Sequence, residues 1–594
     1  VIGTAGLAWL ALSGCHGARV AALEQRVADR RAEVQALNEL VVGMRRQLDA
    51  HPPPTASAAE ASNTPPGFDY DTPLPPGDPR RPDVILLSID TLRADHLGTY
   101  GYERDTSPFI DSLGREGTVY DQMWSATSWT LPSHTTMLSG WLPVHHGTID
   151  DHLKIAPDVH LLQESFEASG YRTIGVVSTL FVSSRFGFDR GFDQFEDFGI
   201  KSKRENNLST VDADHVFQNA HYWAQKAKPG EPMFVFVHVY DAHYQYDPPA
   251  PWNEKFDRKP KWGDAVYKNY QAYQRNMIPK VQLDHQVAQY DEEIAFVDDS
   301  LREFVTRWRA AGRQAVVVVT ADHGEEFGER GSWGHAHTLY PEQLHIPLIV
   351  NGPGVKQQRV PTRMGTEDVA PTVAGLVGVP FGTPKDGVDR SSEIEQGRPW
   401  QGRTSAPFAD TSRFDSLVYR WHEPPYDLVV DIKHHRRELY DTSVDPEERT
   451  NLYKGNKELT EALFQRMSAW LGEPWTASAA GVVEVRDGVL FAENGDRKGS
   501  TWNVVPGAKF AVQPGDAKVM FHGPKGTDGP WRPLGGMVPG EKCPLQYGGR
   551  LLHDAEIAAL TDEEQAMLVA LGYVQGDEEG SAASPGGEAP CGKR

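Results

Sequence analysis

The sequence predicts an α/β fold: a mostly parallel sheet sandwiched by helices, followed by a smaller C-terminal α+β subdomain. Two observations predict it. The first is a set of continuous apolar runs at 84–89 (VILLSI), 173–178 (TIGVVS), 233–239 (MFVFVHV), 315–320 (AVVVVT) and 346–350 (IPLIV). Such runs have no polar face, as strands buried on both sides require. The second is the helical spacing between them, at 159–169 and 284–311, the latter carrying Val287, Ile294, Val297, Leu301 and Val305. Strands alternating with helices imply parallel pairing. Chemistry in such sheets collects beyond the carboxyl ends of the strands, so the residues after each run are the candidates.

The chain has 594 residues, which implies two or three folded units. Its 59 Lys and Arg stand against 82 Asp and Glu, a net charge of -23. That charge repels phosphate backbones and argues against a nucleic-acid partner. A site for anions must therefore build its own positive field, from a metal or from clustered His and Arg. Three cysteines, Cys15, Cys543 and Cys591, make neither a disulfide scaffold nor a zinc cluster, although the last two can pair in an oxidising compartment.

Residues 3–12 are small and apolar and lead into Leu12-Ser13-Gly14-Cys15. This resembles the end of a secretory signal with a bacterial lipobox, so residues 1–17 are expected to direct export and lipid attachment. His16, in place of an Asp, favours the periplasmic face of the outer membrane. Over 18–50, Val20, Leu23, Val27, Val34, Leu37, Val41, Met44 and Leu48 recur at steps of three and four, broken at Arg30. The pattern predicts a coiled-coil stalk that makes a homodimer through 20–48, or else a single amphipathic helix on the body. Residues 51–81 are rich in Pro, Ala, Ser and Thr and read as a stiff linker.

The first apolar run is followed by Asp90, Thr91, Leu92 and Arg93, and the fourth by Asp322-His323-Gly324-Glu325. Carboxylates and an imidazole there suit a divalent cation, or each Asp simply caps a helix. Between them in the chain lies Thr130-Leu131-Pro132-Ser133-His134. A hydroxyl at a helix start, beside a cation, is a nucleophile for an anionic ester; the alternative is a polar cap on a buried helix.

Together these residues resemble the sulfatase family. The matching stretches are LLSIDTLRADHLGTYGY (86–102), TSPFIDSL (106–113), TLPSHTTMLSG (130–140), FVHVYDAHYQYDPP (236–249), YDEEIAFVD (290–298), TADHGEEFGE (320–329), GHAHTLYPEQLHIPLIV (334–350) and ELYDTSVDPEERTNLY (438–453). The resemblance implies an alkaline-phosphatase-like catalytic domain at 82–399 and a subdomain at 400–472. A small β appendage with a family-like tail follows at 476–574, then a disordered tail at 575–594. It implies metal ligands at Asp90, Thr130, Asp322 and His323, with Thr130 also the nucleophile. It places His134, His243 and His337 in catalysis and Arg93 and His335 on the substrate.

The departures from the family pattern are informative. Thr130 stands where sulfatases carry Cys or Ser destined to become formylglycine, and a Thr oxidised at Cβ gives a ketone. His134 replaces the Arg, Thr91 the second Asp, and His323 the usual Asn. Thr-x-Pro-x-His is similar to the motif of nucleotide pyrophosphatase/phosphodiesterases, and Thr also serves in lipoteichoic-acid synthases. The imidazole in the ligand set favours one zinc or manganese ion, with calcium or magnesium the alternatives. The expected activity is cleavage of a phosphodiester or phosphonate ester, or phosphoryl transfer. The alternatives are a sulfatase working without formylglycine and an inactive envelope binding protein. In 251–280, Trp252, Trp262, Tyr267, Tyr270 and Tyr273 read as a substrate lid or as an insertion packed on the body.

Overall fold

The computed structural model describes residues 70–471, apart from 152, 198–211, 245, 258–279, 383–385, 403, 414–417, 432–433 and 435, and the backbone of short strands between 475 and 557. The expected signal and lipobox, the stalk, residues 51–69, most of the aromatic segment and the final tail lie outside the described residues. Among those described, no helix is long and apolar enough to cross a membrane.

Eight strands form the central sheet: β1 (Asp83–Ile89), β2 (Thr118–Tyr120), β3 (Arg172–Val177), β4 (Gln194–Asp197), β5 (Met233–Val239), β6 (Ala315–Ala321), β7 (Leu348–Asn351) and β8 (Gln358–Val360). Their spatial order is β8-β2-β7-β6-β1-β5-β3-β4. The five strands from β6 to β4 run parallel, and β7 runs against both of its neighbours. Pro347, which has no N–H for a ladder, separates β7 from the two-residue strand His345–Ile346, so the 346–350 run does not form one strand.

The register lays Ile85 between Val235 and Val317 and Leu87 between Val237 and Val319. All six are buried. Fully burying a side chain of this size contributes roughly 1.5–3 kcal/mol, which is why these runs take the middle of the sheet. Helices α1 (Pro108–Glu116), α4 (Ala213–Ala224) and α5 (Lys280–Ala310) pack together on one side. On the other side α2 (Thr130–Ser139), α3 (Leu162–Ala168) and α6 (Val369–Leu376) do the same.

The smaller unit is a four-stranded antiparallel meander, β9 (Phe408–Thr411), β10 (Val418–Glu423), β11 (Tyr426–Asp431) and β12 (Arg436–Asp441), backed by α7 (Lys457–Trp470). Further along the chain, strands between Trp475 and Tyr547 pair into two antiparallel sheets. Glu556–Ile557 returns to pair with Leu153–Lys154.

The linker ends earlier than its composition implies. Residues 70–81 lie on the catalytic body: Leu74 is buried, Arg307 lies 4.0 Å from the centroid of the Tyr70 ring, and Arg313 donates to Pro75 O at 2.7 Å. Fixed bonds from two arginines of the body outweigh the extended bias of the prolines.

Candidate active site

β1 and β6 are neighbours, so the residues that leave their carboxyl ends meet. The ligand atoms of Asp90, Asp322 and His323 lie within 4.8 Å of one another, and all three residues are buried. His323 Nε2 is 3.3 Å from Asp322 Oδ2 and 3.8 Å from Asp90 Oδ1. Its Nδ1 sits 3.0 Å from Gly324 O; donating there leaves Nε2 as the ligand atom. Thr130 Oγ1 lies 3.4 Å from that same Nε2.

Thr130 is not the helix cap. That position belongs to Trp129, in extended geometry and without a side-chain capping bond. The Thr130 hydroxyl therefore sits at the positive end of α2 without being used as its cap. Ser133, one turn on, donates to Asp322 O at 2.7 Å and locks the helix to the loop after β6.

The carboxylates fit a cation. Asp90 Oδ1 and Oδ2 and Asp322 Oδ2 are buried with no hydrogen-bond partner among the described residues. Asp322 Oδ1 accepts from Thr91 N at 3.3 Å and His323 N at 2.9 Å. Burial pushes Asp90 up to about 7, against the opposing pull of His323, and burial and then Asp90 raise Asp322. Two adjacent buried carboxyls with so few donors are destabilising unless a positive charge joins them. Two carboxylates, an imidazole nitrogen and a hydroxyl are a suitable set for a divalent ion.

The expected histidines divide into two groups. His335 rests its ring 4.5 Å from that of His323 and 4.9 Å from that of His243, so these two join the site. His335 Nδ1 is 2.9 Å from Glu325 Oε1, and the His243 ring stacks on Tyr240. Burial pushes both imidazoles well below their usual range, helped for His243 by His335 and for His335 by His323. His337 turns elsewhere, toward Ser332 and, at 3.7 Å, Glu326. Burial would lower it, but Glu326 outweighs that and holds it raised.

Besides His337, which was expected in catalysis and turns away from the site, two expectations need correction. His134 was expected to offset charge on the substrate. Four residues after Thr130, it lies one helical turn below it, with Nδ1 2.9 Å from Thr130 O and Nε2 3.0 Å from Ser88 Oγ. Both nitrogens are used, and burial pushes it down to about 3, so it is a neutral brace. Arg93 was expected on the substrate. Its guanidinium bonds Asp95 at 2.7 and 2.9 Å, Glu329 at 2.5 Å and Glu325 O at 2.9 Å, and is fully engaged by the protein.

The sequence also concealed one participant and one pairing. His238, inside the apolar run of β5, brings Nε2 to 3.4 Å from Asp90 Oδ2. Burial lowers it to about 4. Its only signal was a polar residue in an otherwise apolar strand. Glu325 stood in the sequence as a candidate cation ligand, but its pairing with His335 was hidden, because no spacing tied it to residue 335.

Backbone strain gathers here too. Thr91 (φ 55°), Ala242 (φ 77°) and Ala336 (φ 69°) are left-handed, and each adjoins a site residue. For residues with a Cβ this conformation costs roughly 1–2 kcal/mol. Tertiary bonds hold it: Thr91 Oγ1 donates to Ala242 O at 2.5 Å, Ala336 N to Ser128 O at 2.9 Å, and Thr411 Oγ1 to Ala336 O at 3.0 Å.

Residues 82–379 match the family model described as Sulfatase. The chain belongs to the sulfatase family. It is therefore an ester hydrolase, and enzymes of the sulfatase family are metal-dependent. Among its relatives, a Delta 4,5-hexuronate-2-O-sulfatase of Bacteroides thetaiotaomicron is 23% identical over 437 residues, covering 64% of this chain and 85% of that protein. An ulvan-active sulfatase of Formosa agariphila is 21% identical over 407 residues, covering 63% and 78%. Among solved structures, the phosphonate monoester hydrolase of Agrobacterium radiobacter superposes with a TM-score of 0.53 at 18% identity, covering 65% of this chain and 95% of that one. These structural likenesses show that the sulfatase-family fold is shared.

Proposed function

We propose that this enzyme cleaves a phosphodiester or phosphonate ester, or passes its phosphoryl group to an acceptor alcohol, through a covalent intermediate on Thr130. The observation that carries the reading is the Thr130 hydroxyl, 3.4 Å from His323 Nε2 and beside carboxylate oxygens that no protein donor satisfies. A threonine cannot yield the formylglycine aldehyde, whereas as an alcohol it can attack phosphorus directly.

Asp90, Asp322, His323 and the Thr130 oxygen would hold one divalent ion, zinc or manganese before calcium or magnesium. Bound there, it supplies Lewis acidity that makes the hydroxyl easier to ionise. Thr130 Oγ1 forms a bond to phosphorus as the opposite ester P–O bond breaks. The proton lost by the Thr130 hydroxyl passes to the departing oxygen through His335 or His243, neutral imidazoles that can take it up and release it and whose rings lie 4.9 Å apart. Water or an alcohol then attacks the phosphorus and returns the Thr130 oxygen. His134 keeps the carbonyl of Thr130 fixed, and Ser133 keeps the helix registered against Asp322.

A second reading, hydrolysis of a sulfate ester without formylglycine, draws on the sulfatases among its relatives. Purified protein offered an aryl phosphodiester and an aryl sulfate, each with zinc, manganese or calcium, separates the two. Thr130→Ala is expected to lower turnover by at least roughly 10³-fold, and quenched wild-type protein to carry one phosphoryl group on Thr130. Turnover that survives the substitution would refute the mechanism.

The same proposal places the enzyme outside the cytoplasm, held to a membrane by lipid on Cys15 and raised on a dimeric stalk. Cys15→Ser should release it into the soluble fraction. Retention of that variant at the membrane would remove the anchor.

A further inference from the structure

The proposed reaction needs a cation for the anionic oxygens of its substrate, and the two residues expected to supply one do not. His134 is a neutral brace, and Arg93 is clamped by Asp95 and Glu329. We propose that Arg413, from the smaller domain, supplies it, binding an anionic oxygen of the substrate at the mouth of the Thr130 site. The proposal rests on the reading of that site as an ester-cleaving centre.

Three consecutive residues beginning at the end of β9 are fastened to loops of the catalytic domain. Thr411 Oγ1 donates to Ala336 O, between His335 and His337. Ser412 Oγ donates to Ile149 O at 3.3 Å. Arg413 Nη2 meets Asp151 Oδ2 at 3.2 Å. The guanidinium then lies 4.3 Å from the centroid of Trp129, the residue before the nucleophile, and 5.0 Å from that of Phe181, just beyond the carboxyl end of β3. Arg413 thus sits beside both the start of α2 and the loop of His335. Its charge also acts on His335, adding to the lowering caused by burial, His323 and His337.

The surroundings suit anion capture. Arg413 is 8% exposed, so a charge-assisted bond to it is weakly screened. Stacking on two aromatic rings fixes the plane of the guanidinium and limits the entropy lost on binding. Asp151 is one resting partner of the guanidinium, and a substrate anion can take its place. In a chain of net charge -23, a cation at the entrance also counters long-range repulsion of an anionic substrate.

The test uses the full, metal-loaded chain and two readouts. Calorimetry follows inorganic phosphate, and steady-state kinetics follow two p-nitrophenyl phosphodiesters, one with a neutral alcohol and one whose alcohol bears a carboxylate. Arg413→Gln is expected to weaken phosphate roughly 10- to 100-fold and to raise KM more than it lowers kcat, with Arg413→Lys recovering part of the loss. Asp151→Asn, which breaks the same ion pair from the other side, should bind phosphate as well as the wild type or better. A KM rise for both esters assigns Arg413 to the reacting group; a rise for the carboxylated ester alone assigns it to a neighbouring acid. Unchanged phosphate affinity together with unchanged KM for both esters overturns the proposal. Equal losses in Asp151→Asn and Arg413→Gln overturn it as well, because they mark a structural pair. If the wild type binds phosphate through Arg413 yet turns over neither ester, the ester-cleaving reading fails and the assignment of Arg413 stands.

Discussion

Two buried clusters of charge in this molecule have opposite fates. In the smaller domain Arg420, fully buried, bonds Asp427 at 2.6 Å, Glu448 through both carboxylate oxygens and Leu339 O at 2.9 Å. His422 adds a contact of 2.7 Å to Asp427. Despite burial, Arg420 and then His422 hold the Asp427 carboxyl below its usual range. At the ends of β1 and β6, Asp90 and Asp322 are just as buried, yet three of their four oxygens find no donor. Burial is the same and partnership is not. In the first cluster every carboxylate meets a cation as folded, although Arg420 Nε finds no partner among the described residues; in the second the carboxylates lack one.

That contrast can be broken first at Arg420. Arg420→Met leaves Asp427 and Glu448 facing each other without a cation, and unfolding in denaturant should show a loss of about 3–5 kcal/mol. A loss under 1 kcal/mol would mean the cluster is ornamental to stability. The second effect belongs to the active site. A divalent ion at about 100 times its Kd should stabilise the fold by about 2.7 kcal/mol, read as a rise in Tm that a chelator reverses. An unchanged Tm would show that the carboxylates do not hold the ion.

The smallest effect concerns the metal-free protein and has a definite sign. The folded-state value for Asp90, about 7, lies above its ordinary 3.8, so between these values the folded chain binds more protons than the unfolded one. Stability is therefore greatest at low pH within this window and falls as pH rises through it. Asp90→Asn should flatten that decline while abolishing metal binding. A metal-free Tm with the same pH slope in both proteins would contradict the desolvation account.

The parts legible in the sequence were those written as local pattern. The apolar runs at 84–89, 233–239 and 315–320 are the strands of the sheet centre because a strand buried on both faces tolerates little else. Asp90, Thr130, Asp322 and His323 were legible from motif order, and the fold gathers them because β1 and β6 are adjacent. What was hidden depends on where a side chain points. His134 shares a motif with Thr130, but a helix places residues four apart one above the other, and here the lower one is sealed beneath the site. His335 and His337 are equivalent on paper; a left-handed Ala336 between them sends one to His323 and the other to Ser332. Arg413 had no pattern at all, because the residues its guanidinium meets, Trp129, Asp151 and Phe181, lie more than two hundred residues earlier in the chain.

The bond from Thr411 to Ala336 has a consequence for how such a protein can be cut and recombined. The hinge between His335 and His337 is clamped by a strand that belongs to the other domain, so the two halves do not form interchangeable modules. A grafted catalytic core would arrive with its histidine loop unlatched, and a foreign meander would need a hydroxyl at that one register. Any attempt at chimera building must therefore carry residues 70–471 as one piece.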